Sequence, residues 1–174
     1  MEVHVCSLSR LAATVEATGA RHVVTLINQG TPVSRPAAVQ AEDHLFLGMN
    51  DIVTPMEGYV APGEAHVDRL LGFVDGWWRS HGTASPLVVH CWAGISRSTA
   101  AAYITACAID PAQDEDELAR ELRRLSPSAT PNLRLVALAD QKLGRGGRMV
   151  AAIERIGRGR DAFEGEPFSL RLLR

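Results

Sequence analysis

His90-Cys91-Trp92-Ala93-Gly94-Ile95-Ser96-Arg97-Ser98 sets a thiol and a guanidinium six positions apart, in a turn between two segments of opposite character. Upstream, Pro86-Leu87-Val88-Val89 is short, apolar and β-branched, the composition of a parallel strand buried on both faces. Downstream, Thr99 to Ile109 is rich in alanine and reads as a helix. A strand that turns sharply into a helix points backbone N–H groups into one concavity at the positive end of the helix dipole, which makes an anion cradle. Positive potential favours the thiolate, the nucleophilic form of cysteine, so Cys91 is the candidate nucleophile. Arg97 returns from the far end of the turn with a planar fork that can hold two oxygens of an oxyanion, a geometry lysine cannot reproduce. Gly94 suits a mid-turn backbone angle closed to residues with side chains. Ser98 can offer its hydroxyl to the sulfur, and His90 reads as a residue that orients the turn rather than as a base. The competing structural reading is a buried cysteine with an arginine capping a loop.

At these positions the chain resembles the cysteine-dependent protein phosphatases, whose signature H-C-x-x-G-x-x-R-[S/T] is met by His90, Cys91, Gly94, Arg97 and Ser98. The resemblance extends over roughly residues 1 to 143 and suggests the compact, dual-specificity branch. It implies hydrolysis of phosphate monoesters, phosphotyrosine in proteins foremost, through a phosphocysteine intermediate. On that reading Trp92, Ala93, Gly94, Ile95, Ser96 and Arg97 bind the phosphoryl group, no metal or cofactor is needed, and the partner is a phosphorylated protein. An alkoxide or phenoxide is expelled poorly at neutral pH, so a protonated group must reach the leaving oxygen. In such phosphatases it is an Asp at a strand end upstream of the Cys, which here falls on Asp51, forty positions before Cys91. Glu57 and Glu64 are its nearest competitors, and a turn or cap role is the structural alternative. Pro131-Asn132 resembles the pair that opens the last helix of the compact phosphatases, which makes Asn132 a supporting residue. Trp92 and Ile95 stand where relatives often carry charge, and that bears on substrate rather than on chemistry. Two other classes share parts of the pattern: a phospho-binding adaptor without turnover, and a rhodanese-type sulfurtransferase.

A chain of 174 residues most simply forms one domain with a substantial core. Its 46% hydrophobic and 22% charged content is that of an ordinary globular protein, and a net charge of -2 gives no sign of a nucleic-acid partner. Of the 18 basic residues only Lys142 is a lysine, which fits a GC-rich, bacterial gene. Cys6, Cys91 and Cys107 form no C-x-x-C pair and are odd in number, pointing to a reducing compartment and, with no leader-like segment at Met1-Glu2-Val3-His4-Val5, to the cytoplasm. No stretch approaches the roughly 20 apolar residues needed to span a bilayer. Oligomeric state is not legible.

In chain order, strands alternate with helices, which predicts an α/β fold with a central, mainly parallel sheet flanked by helices. Glu2 to Cys6 reads as an edge strand, followed by a helix capped by Ser7 or Ser9 and ending at Gly19. Arg21 to Asn28 is a buried strand; Gln29 to Glu42 is a loop whose Arg35 is a possible anion contact; His44 to Met49 is a third strand leading to Asp51. Gly63 to His81 carries an apolar helical stripe that includes Trp77 and Trp78, and its His66 and His81 find no metal-ligand spacing. Cys107 reads as helix packing, with a redox role beside Cys91 as the sharper alternative. Two further helices follow around Leu118 to Leu125 and Leu133 to Leu143, and a last apolar pattern covers Met149 to Ile156. Residues 1–158 are expected to form the catalytic domain and 159–174 a tail. Residues 142–174 carry eight basic against four acidic side chains, expected to keep the tail soluble or to meet an acidic partner.

Overall fold

The computed structural model describes residues 1–81 and 85–172. Its sheet is built from β1 (Glu2–Ser7), β2 (His22–Ile27), β3 (His44–Gly48), β4 (Leu87–Cys91) and β5 (Phe168–Arg171), in the order β3-β2-β4-β1-β5. The first four strands pair in parallel, and β5 closes the far side antiparallel to β1. The helices are α1 (Leu11–Thr18, entered through a 3-10 turn at Leu8–Arg10), α2 (Glu64–His81), α3 (Arg97–Ile109), α4 (Glu115–Leu125), α5 (Leu133–Lys142) and α6 (Arg148–Ile156). The expected α/β architecture with a mainly parallel sheet is therefore the one observed.

Alternation along the strands sorts the core into two layers. Val3, Val5, Val24, Leu26, Leu87 and Val89 pack with α2 to α6, whereas Cys6, Val23 and Val88 pack with Leu11 and Val15 of α1 on the opposite face. Helix α3 sits at the centre of the larger layer, with every residue from Arg97 to Cys107 buried. Small residues at Ala100, Ala101, Ala102 and Ala106 let sheet and neighbouring helices approach it from all sides. Trp77 is core, its indole N–H donating to the Ser85 carbonyl at 3.0 Å.

Four expectations are corrected. β1 is an inner strand, because β5 covers the edge that the sequence leaves open. The segment read as a tail folds back on the domain: Arg160 N–H donates to the Pro127 carbonyl at 2.9 Å, Gly165 N–H to the Ala93 carbonyl at 2.8 Å, and Phe168–Arg171 enters the sheet. Its last two residues, 173 and 174, lie outside the described residues, as do 82–84. Nor do the extension's arginines all serve solubility: Arg145 is buried, pairs with Glu115 at 2.9 Å, and donates to the Asp110 carbonyl at 3.0 Å just past the end of α3. Ser7 and Ser9 do not cap α1; both hydroxyls donate to the Glu164 carboxylate.

Candidate active site

The turn from β4 into α3 is shaped by what happens to its carbonyls. Trp92 O accepts from Leu8 N–H at 3.2 Å, Ala93 O from Gly165 N–H at 2.8 Å, and Ile95 O from Thr130 N–H at 2.9 Å. Ser96 O accepts from Ala100 N–H at 3.0 Å and Asn132 N–H at 3.3 Å. In a trans peptide the N–H points opposite to the C=O. Carbonyls drawn outward by the surrounding chain therefore leave the amides of Ala93, Gly94 and Ser96 facing inward. The Gly94 N–H does so, donating to Cys91 Sγ at 3.3 Å. Gly94 has φ +73°, and a Cβ there would lie 2.9 Å from Cys6 C and Ser7 N, so both backbone angle and close packing against β1 require glycine.

Cys91 closes β4 with only 2% of its surface exposed, and its sulfur also lies 3.1 Å from Ser98 Oγ on the first turn of α3. A thiolate there accepts two hydrogen bonds before any substrate arrives. Arg97 is 5% exposed; its Nη1 donates to Asn28 Oδ1 at 2.8 Å and to Met49 O at 2.7 Å, while its buried Nε has no protein partner. A buried guanidinium anchored on one side and open at Nε is built for an oxyanion, since an unmatched buried donor costs roughly 1–3 kcal/mol. Asn28 and Met49 stand at the ends of β2 and β3, the strands lying beyond β4 in the sheet order.

Asp51 follows β3 and reaches across to the same turn. Its Oδ1 accepts from Ser96 Oγ at 2.7 Å and from Asn132 Nδ2 at 2.8 Å. Asn132 serves two ends at once, for its own Oδ1 accepts from Leu135 N–H at 3.0 Å and caps α5. The loop that carries Asp51 is closed at its base, where Asn50 and Val60 exchange bonds of 2.7 and 2.9 Å.

His90 lies behind the turn, 2.7 Å from Thr25 Oγ1, which is in turn 2.7 Å from His44 Nε2. His90 Nδ1 faces the Cys91 carbonyl at 3.4 Å, and a carbonyl only accepts, so Nδ1 carries the proton and Nε2 accepts from Thr25. Burial pushes the His90 pKa down to about 4, against a smaller upward pull from that carbonyl. It is thus a neutral imidazole held between Thr25 and the Cys91 carbonyl. Burial pushes the Cys6 thiol up to about 11 and the Cys107 thiol up to about 12, the character of packing residues.

These groups open into one cleft of about 670 Å³, lined by Cys91, Arg97, Asn28 and Asp51 with Trp92, Tyr59 and Phe163 at its sides. Of the residues singled out from sequence, Cys91, Trp92, Ala93, Ile95, Ser96, Arg97 and Asp51 line it; Gly94, Ser98, His90 and Asn132 support those that do. Arg35 is not among the lining residues and donates to the Val39 carbonyl. Glu57 is not among them either, and Glu64 sits in the first turn of α2. Asn28, Thr130, Tyr59, Phe163 and Gly165 were not found from sequence. Asn28 had a signal, as a polar residue ending a buried strand. Thr130 and Gly165 act through backbone bonds to the turn, and Tyr59 and Phe163 reach the cleft from distant loops, neither of which leaves a local pattern.

No protein-family model matches the sequence, and no curated protein sequence does. Solved structures match by shape. A Cydia pomonella PTP-2 phosphatase superposes with a TM-score of 0.61 at 20% identity, covering 80% of this chain and 84% of that one. DUSP15 gives 0.64 at 15% identity, covering 88% and 90%, and PTPMT1, solved with PI(5)P, gives 0.62 at 14%, covering 86% and 92%. The chain has the fold shared by protein tyrosine and dual-specificity phosphatases.

Proposed function

We propose that the cleft hydrolyses phosphate monoesters, phosphotyrosine in proteins foremost, through a phosphocysteine intermediate. One observation carries the reading: Cys91 Sγ, already held by Gly94 N–H and Ser98, shares a cleft with a buried Arg97 whose Nε is unmatched. A phosphoryl group seated there takes its equatorial oxygens to Arg97 and the inward amides, with phosphorus next to sulfur. Attack forms the S–P bond and breaks the bond from phosphorus to the ester oxygen, which takes a proton from Asp51. Water then attacks phosphorus, gives its proton to Asp51 and displaces the sulfur as a thiolate, which Ser98 and Gly94 stabilise on departure. The segment beyond residue 158 belongs to this catalytic unit, since it lines the cleft at Ala162 and Phe163.

Transfer of sulfur from an inorganic donor needs no proton at a leaving alkoxide, so an Asp fixed by two donors beside the cleft favours ester hydrolysis over the rhodanese alternative. Cys91 and Arg97 both in place favour turnover over a phospho-binding adaptor. Among the described residues lining the cleft Arg97 alone is basic, which favours one phosphate over the several of an inositol head group.

The test is phosphate release from a phosphotyrosine peptide and from a phosphoinositide in one buffer, beside thiocyanate formation from thiosulfate and cyanide. The peptide should turn over fastest, vanadate should inhibit, and EDTA should leave the rate unchanged. A preference for the lipid refutes the substrate assignment. Loss of activity in EDTA, restored by a divalent ion, refutes the mechanism.

A further inference from the structure

We infer that Phe163, on the C-terminal segment, is a specificity-determining residue: with Trp92 it receives the aryl ring of a phosphate ester seated on Cys91 and Arg97. The inference rests on the phosphatase reading and adds the residues that would choose an aryl over an alkyl ester.

Phe163 is 95% exposed and Trp92 60% exposed, yet both line the cleft that contains Cys91 and Arg97. They also share a smaller recess with Leu8, Ser9 and Glu164, so the two rings border one mouth. Among the described residues, the exposed large hydrophobics are Val53, Met56, Tyr59, Val60, Trp92 and Phe163. Tyr59, Trp92 and Phe163 line the cleft, and Val53 and Met56 line the adjoining recess beside Asp51. Isolated exposed apolar side chains need no explanation, but their collection around one polar centre marks a binding rim.

Phe163 is exposed without being loosely tethered. The Glu164 carboxylate accepts from Ser7 and Ser9, which hold it below the usual carboxylate range, and Gly165 N–H donates to Ala93 O at 2.8 Å. A Cβ on Gly165 would come 2.9 Å from Gly94 O, and one on Gly159 2.6 Å from Ser128 C, so the segment lies directly on the turn and on its supporting loop. Arg123 fastens its start, donating to Ile156 O at 2.9 Å, Gly157 O at 2.6 Å and Ala129 O at 2.9 Å. The ring is therefore presented on backbone already ordered, and binding a substrate ring against it loses little further entropy. An aryl ester places its ring one bond beyond the bridging oxygen and offers a flat face to aromatic partners. A serine phosphate offers none.

The experiment compares a phosphotyrosine peptide with a phosphoserine peptide of the same flanking sequence, using wild type, Phe163→Ala and Phe163→Tyr. Phe163→Ala should raise KM for the phosphotyrosine peptide about fivefold, more than it lowers kcat, and lower the Tyr/Ser ratio of kcat/KM by a similar factor. Phe163→Tyr should restore the ratio. An equal loss on both peptides, or no change on either, overturns the inference while leaving the phosphatase reading in place. So does a loss confined to phosphoinositide hydrolysis. Failure of wild type to release phosphate from any ester defeats the phosphatase reading, and this inference with it.

Discussion

Asn132 Nδ2 donates to Asp51 Oδ1 at 2.8 Å, joining the N-cap of α5 to the end of β3 across 81 positions of chain. One side chain thus both caps α5 and fixes the Asp51 carboxylate, the acid of the proposed mechanism. Asp51→Asn should lower kcat/KM for phosphotyrosine peptides by roughly 100-fold or more and flatten the alkaline limb of its pH profile, because a protonated acid is lost there. The loss should shrink for substrates with very acidic leaving groups. Asn132→Ala should cost about 1 kcal/mol of stability through the cap and roughly tenfold in rate. Denaturant titration beside kinetics separates the two, and an Asn132→Ala enzyme with wild-type kcat would detach the cap from the acid.

Thiol chemistry should single out one cysteine. Burial holds the Cys6 and Cys107 thiols up at about 11 and about 12, whereas Cys91 opens to the cleft and accepts from Gly94. Iodoacetamide at neutral pH should alkylate Cys91 alone, as read by peptide mass spectrometry, with activity lost in step and vanadate protecting it. Modification of Cys107 at a comparable rate would restore its redox role as a candidate. Cys91→Ser should retain substrate binding and lose turnover.

Gly94→Ala meets two obstacles at once, φ +73° and contacts of 2.9 Å with the backbone of Cys6 and Ser7. It should cost about 2 kcal/mol, lowering Tm by roughly 4–8 °C, and abolish activity by displacing the amide that faces Cys91. A variant with unaltered Tm would mean that β1 yields more readily than its place between β4 and β5 implies.

His90 predicts acid lability with a definite sign. Its folded pKa of about 4 lies below the unfolded value of 6.5, so the unfolded chain binds the proton first as pH falls. Stability is full above about pH 6.5 and is lost as pH drops toward 4. The loss attributable to His90 between pH 7 and 5 is about 2 kcal/mol. Burial lowers His4, His44 and His66 in the same direction. Urea titrations at the two pH values should show the drop and a smaller one for His90→Asn; equal drops would assign it to the other histidines.

Local chemistry was legible from sequence, and distant backbone contacts were not. The strand, turn and helix around Cys91 follow from β-branching, glycine and alanine within a few residues, whereas Asp51 and Asn132 were singled out through the resemblance to the compact phosphatases. β5 is only four residues long and stands just beyond Gly165 and Pro167, too brief for alternation to be seen. Its consequence for β1 was therefore missed as well. Arg145 shows the same limit: in a basic stretch it reads as surface charge, and only the placement of Glu115 and the end of α3 draws it inward.

The order in which these parts are synthesised has its own consequence. Cys91 leaves the ribosome seventy-four residues ahead of Gly165, whose N–H holds the Ala93 carbonyl outward and with it the amide aimed at the sulfur. A nascent chain can pair its first four strands while that peptide is still free to turn, so competence of the thiol trails formation of the sheet.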